Sequence, residues 1–136
     1  MKLRVVPELY CTDIHTSVEF FIHVLGFEIK YQRPEEHFAY LTRSGVDLML
    51  EGLSSPSRKW IAQELVAPFG RGINFQWDVD NIDSMYADIL KRAPDSIYLP
   101  MESKGYQVKE ELVIQKQFII QVPDGYLFRF CQDDVR

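Results

Sequence analysis

Val6-Pro7-Glu8-Leu9-Tyr10-Cys11-Thr12-Asp13-Ile14 and Asn74-Phe75-Gln76-Trp77-Asp78-Val79-Asp80-Asn81-Ile82 read alike at a spacing of 68 residues. Each is a short strand-like run ending on Asp or Asn, residues whose side chains cap the start of a helix. Apolar residues follow at Ile14, Val18, Phe21 and Leu25 in the first copy, and at Ile82, Tyr86 and Ile89 in the second. That spacing is one face of an amphipathic helix. Gly26 and Pro94 are the stop signals. A fixed repeat of this kind decides the fold before any single motif does.

The repeat continues at a spacing of 80. His37-Phe38-Ala39-Tyr40-Leu41 leads through Arg43-Ser44-Gly45 to Leu48-Met49-Leu50. Gln117-Phe118-Ile119-Ile120-Gln121 leads through Pro123-Asp124-Gly125 to Phe128-Arg129-Phe130. Each is an alternating run, a glycine-containing turn and a second run, the pattern of a β-hairpin. The second copy carries 12 extra residues between helix and hairpin, expected as a loop over 99–109 that holds Tyr106. Each copy therefore reads strand, helix, strand, hairpin: a βαβββ unit. The fold class expected is α+β, with two such modules forming a curved mixed sheet with an open cleft. One domain spans 1–136: module one over about 1–51, a connector over 52–70, and module two over about 71–132. Gly52, Ser54, Ser55, Pro56 and Ser57 open the connector as a loop, and a short helix is expected over 60–66.

Alternation assigns the faces. Ile73, Phe75, Trp77 and Val79 are uniformly apolar and are expected toward the helices, leaving Asn74, Gln76 and Asp78 on the other side. The same rule turns Pro7, Leu9 and Cys11 to the helix and Val6, Glu8 and Tyr10 away from it. Leu48, Leu50, Phe128 and Phe130 are helix-side. Met49, Arg129, Phe38, Tyr40, Phe118 and Ile120 are expected on the open side, with Phe38 and Tyr40 opposite Met49 and Asp47. Large aromatics mixed with a few polar groups are the usual lining of a small-molecule pocket, and equally of a subunit interface.

Composition narrows the partners. A net charge of -5 on 136 residues argues against nucleic acid, which demands a basic face. No apolar run approaches the ~20 residues of a membrane span. Met1-Lys2-Leu3-Arg4 runs straight into a strand-like segment with no apolar stretch, so no signal peptide is expected. Two cysteines near opposite ends, Cys11 and Cys131, suggest a reducing cytoplasm more than a disulfide framework.

The paired βαβββ layout, with Leu25-Gly26-Phe27 after the first helix and Pro123-Asp124-Gly125-Tyr126 in the last turn, resembles the vicinal oxygen chelate superfamily. That group includes glyoxalase I, extradiol dioxygenases, fosfomycin-resistance enzymes and bleomycin-resistance proteins. Pro7-Glu8-Leu9, Met49-Leu50-Glu51, the run from Pro68 to Phe75, and the run from Gly125 to Phe130 are similar to the bleomycin-resistance branch. This resemblance implies a non-enzymatic homodimer that sequesters a drug in a shared cleft. The enzymes of the superfamily hold one divalent metal through four open-face positions, and by resemblance those are Val6, Met49, Asn74 and Arg129 here. Val and Met offer no hard donor, and a permanently charged arginine repels a cation. No metal, no cofactor and no catalytic residue are therefore expected. His15 and His23 are expected as solvated helix residues, and His37 points away from Phe38.

The binding residues expected are Phe38, Tyr40 and Phe118 for stacking; Trp60 and Phe69 closing from the connector; Asn74 and Gln76 for orientation; Met49; Tyr98 and Tyr106 near the insertion; and Arg129. The last is expected to meet either a ligand carboxylate or an internal acid such as Asp47 or Glu8. The partner implied is a small molecule of the bleomycin kind, a cation with a planar group, with neither nucleic acid nor membrane involved. The competing expectation is a metal-dependent glyoxalase- or dioxygenase-like enzyme with ligands relocated to acids such as Glu8, Asp47 or Asp78.

Overall fold

A computed structural model describes residues 2–135. The chain divides into two compact units, Met1–Val66 and Ala67–Arg136. The first holds strand β1 (Glu8–Cys11), helix α1 (Ile14–His23) and strands β2 (Glu28–Arg33), β3 (Phe38–Arg43) and β4 (Val46–Gly52). The second holds β5 (Asn74–Asp78), α2 (Ile82–Arg92), β6 (Ile97–Val108), β7 (Glu111–Gln121) and β8 (Leu127–Val135). Each unit makes its own four-stranded mixed sheet, ordered β1-β4-β3-β2 and β5-β8-β7-β6. In each, the first strand pairs in parallel with the last and the other neighbours are antiparallel. The expected α+β architecture of two βαβββ modules is what forms, with one sheet per module.

Both helices start where the cap residues place them. The Asp13 carboxylate accepts from the backbone N–H of His15 and Thr16, and the Asn81 side chain accepts from Ser84 N–H. Two orphan donors are thereby satisfied on α1 and one on α2. At the end of α1 the Gly26 N–H donates to Ile22 O and the Phe27 N–H to Phe21 O. With Gly26 at φ +75, its bond to Ile22 is an αL closure, and the turn brings the Phe27 ring to 5.6 Å from Phe21. The helix-side core of module one is Leu9, Cys11, Phe21, Leu25, Phe27, Leu41, Leu48 and Leu50, all buried.

Module two departs from expectation in one respect that matters for the site. Phe118 lies opposite Phe130, and Ile120 opposite Phe128. Directly paired residues share a face, so Phe118 and Ile120 belong to the helix side. Phe118 is fully buried, its ring 4.9 Å from both Phe130 and Tyr86 of α2. Turn length is the cause. In module one Arg43 pairs with Val46 around the two-residue turn Ser44-Gly45. In module two Gln121 pairs with Leu127, and the Val122 N–H to Tyr126 O bond closes a turn over Pro123-Asp124-Gly125. One added turn residue slides β7 by one position and exchanges its faces. The open side of β7 therefore presents Gln117, Ile119 and Gln121.

Three further expectations change. The 12 extra residues do not loop out: β6 and β7 run to 12 and 11 residues, against 6 each for β2 and β3. Residues 60–66 form no helix: the Trp60 N–H is donated to the Tyr10 hydroxyl, and bends and irregular chain follow it. Ile73 precedes β5 and is exposed, whereas Phe75 and Trp77 pack on Phe128 and Phe130 as alternation requires. Among the described residues no helix is long and apolar enough to cross a membrane.

Candidate functional site

The open face of module one is built around an aromatic ladder. In register, Phe38 faces Glu51 and Arg33, and Tyr40 faces Met49 and Tyr31. This is a two-residue shift from the pairing expected, so the faces are unchanged. Tyr31 stacks on Tyr40 at 5.0 Å, and the Arg33 guanidinium lies 4.1 Å over the Phe38 ring. Phe38 and Tyr40 are each only 4% exposed. Their ring faces are thus already engaged by Tyr31 and Arg33, two residues that sequence reasoning missed. Alternation along β2 is the signal that places both on this face.

The acids of this face are tied down individually. Asp47 accepts from the Thr42 hydroxyl at 2.6 Å, the Tyr40 hydroxyl at 2.8 Å and Arg4 at 3.2 Å. The Thr42 and Tyr40 hydrogen bonds, helped by the charges of Lys30 and Arg4, hold the Asp47 carboxyl below the usual carboxylate range. Burial, then the hydrogen bond to Asp47 and its charge, push the Tyr40 hydroxyl up. Glu51 is buried and accepts from the Ser57 hydroxyl at 2.6 Å. Because the folded-state pKa of Asp47 is depressed, its contribution to stability is complete above the ordinary Asp value of about 3.9. That contribution is lost as pH falls through its own lower value. Thr42→Val should move the Asp47 titration back toward the ordinary range and cost no more than about 1 kcal/mol. A carbon-detected NMR titration of the two proteins reads this directly, and identical Asp47 curves would remove Thr42 as the cause.

The connector joins this face at two points. Trp60 is held by its backbone N–H on the Tyr10 hydroxyl at 2.8 Å, while the residue is 69% exposed, with the Arg58 guanidinium 4.3 Å from the centre of its ring. Ser57 reaches Glu51 as above. Phe69 does not close over any face: it is buried in module two, its ring 6.2 Å from Tyr126 and its N–H on Asp124 O at 2.6 Å.

The open face of module two is centred on Arg129. Its β5 neighbour in register is Gln76 and its β7 neighbour Ile119. The guanidinium donates to Gln76 Oε1 at 2.8 Å, Asn74 Oδ1 at 3.3 Å and Gln117 Oε1 at 3.3 Å. An internal acid is the partner the sequence suggests, yet all three are neutral amides. Gln76 in turn donates to Asp78 at 2.9 Å, and Gln117 to Glu102 at 2.7 Å. Gln117 is the residue that the face assignment misses; the odd turn is the signal that finds it. Tyr98 and Tyr106 stand exposed on β6. Cys131, on the Arg129 side, is buried, and burial pushes its thiol up, the opposite of what a nucleophile needs.

The residue pattern, the module order and the topology all point one way, and direct comparison agrees. A family model described as the Glyoxalase/Bleomycin resistance protein/Dioxygenase superfamily matches residues 4–130. The chain belongs to this superfamily. It is similar, at 56% identity over 98% of its length and 100% of the other chain, to a superfamily member from Vibrio splendidus 12B01, with a TM-score of 0.45. TioX from Micromonospora sp. ML1 is similar at 19% identity, TM-score 0.68, with 98% of each chain covered. A glyoxalase/bleomycin resistance protein/dioxygenase from Alicyclobacillus acidocaldarius is similar at 16% identity and TM-score 0.65, covering 95% of this chain and 90% of that one. The last two likenesses concern the fold alone. No curated protein matches the chain.

Membership in this superfamily raises the question of a metal. Of the positions that the resemblance matches to its ligands, Val6 and Met49 carry no hard donor, and Asn74 Oδ1 is engaged by Arg129. The fourth position is the guanidinium itself. This donor set does not fit a divalent cation. Among the described residues, no group of three or more His, Cys, Asp and Glu side chains is placed to hold one elsewhere.

Proposed function

We propose that this chain is a metal-free small-molecule binding protein of the bleomycin-resistance type, which acts by sequestration rather than catalysis. The observation that carries the reading is Arg129, a fixed cation held by Asn74, Gln76 and Gln117 where the enzymes of the superfamily place a metal ligand. Module one supports a cationic, planar ligand. Its open face combines Tyr10, Tyr31, Phe38 and Tyr40 with Glu8, Asp47 and Glu51. Its aromatic rings already carry cations: Arg33 on Phe38, Lys30 on Tyr40 at 5.2 Å and Arg58 on Trp60. A ligand cation that displaces Arg58 from the exposed Trp60 ring gains the same quadrupole attraction. The net charge of -5 assists its approach at long range. The working unit in this reading is a homodimer in the cytoplasm, where the buried thiols of Cys11 and Cys131, neither in a disulfide, stay reduced.

Calorimetry with metal-free bleomycin, followed in parallel by Trp fluorescence, tests the reading. The expected result is saturable binding at micromolar Kd or tighter, with about one drug per chain, on a particle of dimer mass by light scattering. Trp60→Ala should weaken that binding about tenfold. No heat and no fluorescence change at high micromolar drug would remove bleomycin as the ligand. Stoichiometric Zn, Ni, Mn or Fe surviving dialysis would remove the metal-free reading itself.

A further inference from the structure

Arg129 on β8 is central to the open face of module two, between Asn74 and Gln76 on β5 and Gln117 and Ile119 on β7. A guanidinium carries five N–H donors. Among the described residues three are used, one on Nε and one on each terminal nitrogen, and all go to amide oxygens. One donor remains on each terminal nitrogen, the number a planar carboxylate takes in a two-point contact. The choice of partners is informative. A carboxylate partner would cancel the charge of the guanidinium. Amide oxygens fix the plane and position of the guanidinium while leaving the whole positive charge available. The side chain is only half-buried, so a solute can reach it. Ile119, directly opposite, and Leu127, two residues along the strand, supply apolar surface beside the charge.

We infer that the open face of module two is an oxyanion-binding site. Arg129, oriented by Asn74, Gln76 and Gln117, receives the carboxylate of a small organic acid whose apolar body lies against Ile119 and Leu127. The position that by resemblance supplies a metal ligand in the enzymes of the superfamily is here filled by a permanent cation of fixed geometry. Acids bound the site rather than fill it. Asp78 lies on this face one pair beyond Gln76 and is bonded to it, Glu102 is bonded to Gln117, and Asp133 lies on the same side of β8 beyond Cys131. Their charge opposes anion binding, so the affinity rises when Asp78 is neutralised. This inference rests on the metal-free reading but not on bleomycin.

The test is a titration of the full chain with sodium benzoate, phenylphosphonate and neutral benzamide, following the Arg129 Nε–H and the Asn74, Gln76 and Gln117 side-chain amides by NMR. Benzoate should shift these resonances saturably at about millimolar Kd, benzamide should not, and Asp78→Asn should tighten benzoate severalfold. Arg129→Gln should abolish the response. Arg129→Lys, which keeps the charge but loses the fork, should weaken it about tenfold. The unperturbed amide spectrum of Arg129→Lys verifies the fold. An equal response to benzamide, a response surviving in Arg129→Gln, or none to benzoate in wild type would overturn the site, and a preference for phenylphosphonate would overturn the carboxylate assignment. Metal analysis of the same sample separates the failures: a metal-free protein blind to benzoate loses only the oxyanion site, whereas bound metal removes both readings.

Discussion

Phe118→Ala should destabilise the protein by about 3–5 kcal/mol, read as a fall in the urea midpoint at unchanged slope. The ring is fully buried, stacked on Phe130 and met edge-on by Tyr86. Removing it deletes a large apolar surface and leaves a cavity that the rigid strands of β7 and β8 cannot close. A ligand-facing phenylalanine would behave differently, since truncation would weaken binding with little effect on folding. Phe118→Tyr sharpens the distinction. On the open side an added hydroxyl would meet water at no cost. On the helix side it enters a core of Phe128, Phe130 and Ile120 with no partner, and should cost about 1–3 kcal/mol. A Phe118→Tyr protein as stable as wild type would return Phe118 to the open face and reinstate it as a stacking residue.

The difference between the two modules shows what can be read from the chain and where reading stops. Element types follow from strong local signals. Asp13 and Asn81 cap, Leu25-Gly26-Phe27 closes the first helix, and apolar residues recur at helical spacing in both copies. The first-strand faces are also legible, because Leu9, Phe75 and Trp77 alternate cleanly with Glu8, Asn74 and Gln76. Cross-strand register is not, since it depends on how many residues the turn consumes. Gln117-Phe118-Ile119-Ile120 is apolar on both sides of its alternation, so composition alone does not say which side is buried. The turn residues Pro123-Asp124-Gly125 decide it through their number.

The site is legible in the same uneven way. Alternation puts Arg129, Asn74 and Gln76 on one face, and they lie there, because two parallel-paired strands with clean patterning carry them. Their mutual hydrogen bonding is not legible, because side-chain reach across strands has no sequence period. Phe38 and Tyr40 fall on the expected face. The groups that cover them, the Tyr31 ring and the Arg33 cation, come from an edge strand whose residues are mostly exposed and whose register shifts between Ile29 and Tyr31. Trp60 and Phe69 share one expectation and meet opposite fates. Pro68-Phe69 is locked to the last turn of module two, whereas Trp60 is held through its backbone N–H and leaves its ring exposed beneath Arg58.

That lock makes Gly125→Ala the second large effect, with an expected loss of more than about 3 kcal/mol. Two costs add. Gly125 sits at φ +117, a conformation that residues with a Cβ rarely adopt. A Cβ there would also lie 2.4 Å from Pro68 Cβ, 2.7 Å from Pro68 Cα and 2.8 Å from Phe69 N. None of these atoms can rotate away, being ring or backbone. The Pro68-Phe69 segment would have to retreat, lengthening the 2.6 Å bond from Phe69 N–H to Asp124 O and withdrawing the Phe69 ring from Tyr126. Gly45→Ala separates the two contributions. Gly45 has φ +86 in the turn of the first hairpin, but a Cβ added there would meet nothing within 4 Å. It should show the conformational cost alone, about 1 kcal/mol. Urea titrations of both variants measure the difference. Equal losses would mean that the contact between Pro68-Phe69 and the last turn contributes nothing. A loss at Gly125 several times that at Gly45 would establish this close approach as the fastening that holds the start of module two against its final hairpin.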